Sequence, residues 1–160
     1  MEKDELTYKI IGCAMKVHNT LGPGFQEVIY QRCLAIEFER AGLGFTREQE
    51  HTIFYEGIDV GTRRADFVVE NTIVVELKAL VNLEDVHITQ AKNYTVAYDF
   101  PKGLLINFGS QSLQYKLMFN PKVVTRGSAL PEPPKSMPKS VALPAYSGEY
   151  PSLFFHVFRF

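Results

Sequence analysis

The chain changes its hydrophobic period three times, and each change marks an element. Over residues 5–19, Leu6, Ile10, Ala14 and Val17 recur at helical spacing and predict an amphipathic helix. It ends at Asn19-Thr-Leu-Gly-Pro-Gly24, a cluster of helix breakers. A second helix is expected over 26–41, with Ile29, Cys33 and Ile36 on one stripe, Tyr30, Leu34 and Phe38 on the next, and Gly42 as its stop. The period then falls to two. Residues 47–55 and 58–63 read as strands around a Glu56-Gly57 turn. Two β-branched runs follow, Phe67-Val-Val and Ile73-Val-Val, separated by Glu70-Asn71-Thr72, which reads as a tight hairpin turn. Asn82-Leu-Glu-Asp85 has the character of a helix start with acids in its first turn, and the helix should last until about Tyr98. After the Pro101-Lys-Gly103 break, residues 104–108 form a short buried strand, and 111–119 a polar, hairpin-like end.

The order is helices, strands, helix, strand, which predicts an α/β fold with one mixed central sheet flanked by helices. From residue 121 the pattern stops. Seven of the nine prolines lie in 121–160, so that stretch is expected to be an extended or disordered tail beside a domain over 1–120. The charges divide in the same way: 12 basic and 16 acidic side chains before residue 121, 5 and 2 after it.

The hairpin carries the chemistry. Glu76 and Lys78 are two apart on one strand and point to one face. Folding back at residues 70–72 brings Asp66 beside residues 75–77. Two carboxylates and an ammonium would then meet on an otherwise apolar sheet, a costly arrangement unless the charges are paired or bind a metal. Oxygen donors of this kind suit a hard cation such as Mg²⁺ or Mn²⁺ with an activated water beside it. Two further segments could join the group. Gln90 and Tyr94 are four apart on the helix after the hairpin, with His87 three before Gln90 on the same side. Glu27 lies in the first turn of the second helix, where a carboxylate complements the helix dipole.

Taken in order, these residues resemble the PD-(D/E)xK nuclease superfamily, with a restriction-endonuclease-like core of helix, three strands, helix and strand (αβββαβ). The stretch over 24–30 is similar to the signature of its GxxExxY family, as are Val17-His-Asn-Thr-Leu-Gly-Pro-Gly-Phe25 and Gly103-Leu-Leu-Ile-Asn-Phe-Gly109. The likeness covers about residues 5–119; Ala65 stands where the superfamily often has a proline before its first acid. The resemblance implies Asp66 and Glu76 as metal ligands, the Leu77 carbonyl as a third, and Glu27 near the metal. Lys78 would orient or help deprotonate the attacking water. Gln90 and Tyr94 match a QxxxY motif that lines the site. Phosphodiester hydrolysis in a nucleic acid, most simply DNA, is the implied activity. Arg63 and Arg64, which flank the site strand, are candidate substrate contacts together with Lys92 and His87. The alternative is a catalytically inactive module on the same fold that binds nucleic acid or protein.

Composition narrows this a little. A net charge of −1 gives no global basic field, so substrate binding has to rest on local cations. Cys13 and Cys33 lie among apolar helical neighbours and read as reduced core residues. No apolar run reaches the roughly 20 residues of a membrane span, and the N-terminus lacks a secretion signal, so a cytoplasmic location is expected. A protein partner or a homo-oligomer is compatible with all of this.

Overall fold

The computed structural model describes residues 4–124. Two helices, α1 (Glu5–Leu21) and α2 (Glu27–Arg40), precede three strands, β1 (Phe45–Tyr55), β2 (Ile58–Val69) and β3 (Ile73–Lys78). Then come α3 (Asp85–Ala97), β4 (Lys102–Asn107), β5 (Gln114–Phe119) and a single helical turn, α4 (Pro121–Val124). The strands form one sheet in the order β1-β2-β3-β4-β5. All neighbours are antiparallel except β3 and β4, which run parallel because α3 carries the chain back between them. The expected α/β architecture with a mixed sheet is therefore present. The strand expected over 58–63 does not stop there: it runs on through the site to Val69 as one element. Apart from α4, the tail expected over 121–160 lies outside the described residues.

Alternation along β3 explains the two layers. Ile73, Val75 and Leu77 face α1 and α2, and join Ile10, Ala14, Val17, Tyr30, Leu34 and Phe38 in the main core. Val74 lies on the opposite face in a smaller cluster with Val68 and Tyr98. Glu76 and Lys78 share the face of Val74.

Two polar devices and a tight turn fix the elements around the site. Asp4 caps α1 through the Thr7 amide and also meets the Lys102 ammonium at 2.7 Å, which ties the helix start to β4. Tyr30 is fully buried, stacks on Phe108 at 4.7 Å, and donates its hydroxyl proton to the Gly22 carbonyl at 2.6 Å. It thereby holds the turn that enters α2, where Gly22 and Gly24 adopt positive φ. The hairpin turn between β2 and β3 has both Glu70 and Asn71 in the left-handed region, as a tight turn between twisted strands requires. Close approach matters at two further glycines, and at Gly103 a Cβ would run into the Thr95 side chain of α3. Any Cβ on Gly109 would collide with the backbone of Ala79 and Leu80, so the chain leaving β3 passes directly over this position.

Candidate active site

The β2–β3 ladder is short. It pairs Val69 with Ile73, Val68 with Val74 and Phe67 with Val75, and no further. Beyond that point the Asp66 side chain replaces the strand: its Oδ2 accepts the Leu77 amide hydrogen at 2.8 Å. The fold of the hairpin thus delivers Asp66 to the segment over 75–77, as the turn position predicts. The N–H and C=O of one strand residue point to the same side, so the Leu77 carbonyl also faces the opening. The other Asp66 oxygen, Oδ1, accepts from Gln31 Nε2 at 3.2 Å, and Arg47 Nη2 donates to Gln31 Oε1 at 3.2 Å.

Asp66, Glu76 and Lys78 are all buried, at 2%, 3% and 9% exposure. Glu76 Oε1 has no hydrogen-bond partner among the described residues. Removing a carboxylate from water without pairing it favours the protonated form, and all three acids near the opening show this. Burial pushes Asp66 up to about 6, against the Leu77 hydrogen bond and the attraction of Lys78 and Arg63. Burial, with repulsion from Asp66, raises Glu27 to about 7, again opposed by Lys78 and Arg63. Glu76 is driven well above the carboxylate range by burial and then by Asp66. These mutual effects place Glu27, Asp66, Glu76, Lys78 and Arg63 in one electrostatic cluster.

The remaining expected residues are placed as follows. Tyr94 is half-buried on α3, with the Arg63 guanidinium 4.2 Å from its ring centre. Gln90 lies one turn earlier and is partly exposed; Lys92 is exposed. His87 accepts the Glu84 amide hydrogen on Nδ1 at 3.0 Å, so part of its polarity goes to starting α3. Arg64 meets Glu50 across the strands at 3.6 Å. Strict alternation puts Arg64 on the face of Asp66, yet Arg63 is the arginine whose charge acts on the three acids. The cause is a local irregularity. The β1–β2 ladder pairs Arg47 with Phe67 and Gln49 with Ala65 but skips Glu48 and Asp66, and Glu48 has φ of +51°. Ala65 consequently packs with Val68 rather than on the far face, and the alternation slips by one at Asp66.

Three residues of this neighbourhood escaped the sequence reading: Gln31, Arg47, and Tyr98, which stacks between Tyr94 at 6.0 Å and His51 at 4.6 Å. Gln31 and Tyr98 carried a readable signal, since each lies four residues after a candidate, Glu27 and Tyr94, on the same helical face.

The residues present fit a hard divalent cation. No three His, Cys, Asp or Glu side chains among the described residues converge into a cage. Mg²⁺ does not ask for one, because it keeps several waters and uses one or two carboxylates. Asp66, Glu76 with its unpartnered oxygen, and the Leu77 carbonyl form such a set, and a cation would offset the burial that now favours their protonation.

An acid whose folded value is raised binds more protons folded than unfolded between its two values, so its contribution to stability falls as pH rises through that window. For Glu27 the window runs from its ordinary 4.5 to about 7. His51 is held low by burial and acts with the opposite sign, so the comparison must be a difference. The Glu27→Gln protein should gain in melting temperature relative to wild type as pH rises from 5 to 7.5, measured by calorimetry without metal. A pH-independent difference rules the account out.

A model of the PD-(D/E)XK nuclease superfamily matches residues 4–118. No curated protein matches the chain. Among solved structures, one titled "Crystal structure of SSO0001" is similar with a TM-score of 0.48 at 20% identity, over 62% of this chain and 55% of that one. The chain therefore spans about half the length of that structure. The family match covers α1 to α3, the sheet except for the last residue of β5, and every residue of the charged cluster, and by it the chain belongs to the PD-(D/E)XK nuclease superfamily.

Proposed function

We propose that this protein is a divalent-metal-dependent nuclease of the GxxExxY type that hydrolyses phosphodiester bonds, in DNA as the first substrate to test. The observation that carries the reading is the opening of the β2–β3 ladder at Asp66, with Glu76 Oε1 buried and unpartnered beside it. A carboxylate is kept in such a place at a cost to stability, and functional sites are where such costs persist.

In this reading Asp66, Glu76 and the Leu77 carbonyl would hold Mg²⁺ or Mn²⁺, with Glu27 beside them. When bound, the ion supplies Lewis-acid relief of the phosphate charge and a water of lowered pKa. Lys78, a compact cation on the face of Glu76, would orient the attacking water and meet the charge that develops on the phosphate. Gln90 and Tyr94 line the approach, with Lys92, His87 and Arg64, the last of which also meets Glu50, as the contacts proposed for the nucleic-acid backbone.

The test is to incubate the full chain with single-stranded DNA, double-stranded DNA and RNA in Mg²⁺ or Mn²⁺, and to titrate Mn²⁺ calorimetrically. Metal-dependent cleavage of at least one substrate is expected. Mn²⁺ binding without cleavage of any of them would leave the fold as a binding module and overturn the enzymatic reading.

A further inference from the structure

Asp66 is held from both sides, and only one side belongs to its own hairpin. The Leu77 amide fixes Oδ2; the other oxygen is fixed by Gln31, which comes from α2 across the layer boundary. Gln31 is 5% exposed, so its carboxamide has no ready water to turn to. A carboxamide can present either its oxygen or its NH₂ to a neighbour. Arg47 removes the choice. Its guanidinium is donor-only and takes the Gln31 oxygen at 3.2 Å, so the NH₂ must face Asp66. Arg47 sits on β1 beside the irregularity at Glu48 and pairs with Phe67, the residue after Asp66.

We infer that Arg47 and Gln31 form a positioning relay for the Asp66 carboxylate, setting which way it points and keeping it an acceptor on both oxygens. The inference rests on the reading of Asp66 as a metal ligand. A neutral amide between the arginine and the acid is the useful feature. A direct Arg47–Asp66 pair would compete with an incoming cation for the carboxylate, whereas an amide orients it with only one weak bond. Neither residue touches the reacting atoms; both are positioning residues. Groups that orient a ligand in this way commonly change metal affinity 10- to 100-fold when removed.

A double-mutant cycle on Mn²⁺ affinity tests this. Gln31→Met should weaken Mn²⁺ binding about 10-fold or more. Arg47→Met, on a half-buried strand position where the core is untouched, should weaken it by a similar or smaller factor and serves if Gln31→Met does not fold. The double variant should bind no worse than Gln31→Met alone, because Arg47 acts through Gln31. A merely structural role gives independent losses that multiply, and that result overturns the relay, as does unchanged affinity in either single variant. A second readout needs no metal: the Gln31 side-chain amide should be protected from hydrogen exchange in wild type and lose protection in Arg47→Met. Protection that does not depend on Arg47 also overturns the relay. If wild type binds no Mn²⁺ while the amide behaves as expected, it is the metal-ligand reading that fails, and the inference falls with it.

Discussion

Asp66→Asn is expected to lower metal-dependent cleavage by about 10³-fold or more while leaving the protein folded. The ion's stabilisation of developing charge is worth several kcal/mol, and each 1.36 kcal/mol is a factor of ten in rate. The substitution is nearly isosteric, so packing against Phe67 and Leu77 is unchanged in volume, but its hydrogen bonds cannot all be kept. With its oxygen on the Leu77 amide, the new NH₂ faces the NH₂ of Gln31, and Gln31 cannot turn without bringing its own NH₂ against Arg47. Loss of a buried charge and gain of a donor–donor contact oppose each other, so the melting temperature should move far less than the rate. Steady-state cleavage and calorimetry on the same preparation check both halves. Cleavage within a few-fold of wild type would remove Asp66 from the site.

The contrast between Asp66 and Arg64 shows what the sequence could carry. The hairpin was readable because two β-branched runs and a three-residue turn are local signals, and the reach of Asp66 to Leu77 follows from the turn position alone. The choice of Arg63 over Arg64 was not readable. It depends on Glu48 taking a left-handed conformation opposite Asp66, and nothing in the residue type Glu announces that. The contribution of Gln31 was hidden for another reason. Its spacing from Glu27 marked the helix face, but which strand that face would meet is a tertiary fact. The continuous β2 strand is a third case: the strand expected over 58–63 and the run Phe67-Val-Val read as separate stretches, and the structure joins them through Arg64 and Asp66 because cross-strand partners and the site absorb their charge.

Glu76 is where the site and the fold pull in opposite directions, and Glu76→Met should expose this. The carboxyl is 3% exposed, with one oxygen unpartnered, and burial keeps its value well above the ordinary 4.5. A buried polar group without a partner costs about 1–3 kcal/mol, and methionine fills the same unbranched volume with no polar atom. The metal-free variant should therefore melt several degrees above wild type at pH 7.5, while Mn²⁺ should no longer raise its melting temperature and cleavage should be lost. The sign of the pH effect follows. Folded Glu76 binds its proton more tightly than the unfolded chain does, so its contribution to wild-type stability falls as pH rises above about 4.5, and the variant lacks that contribution. The gap between the two proteins should then widen from pH 5 to pH 7.5, and Mn²⁺ should close it by stabilising wild type alone. A variant that melts below wild type at every pH would mean that Glu76 is satisfied in the fold, and that the opening beside Asp66 is not held at a cost for a cation.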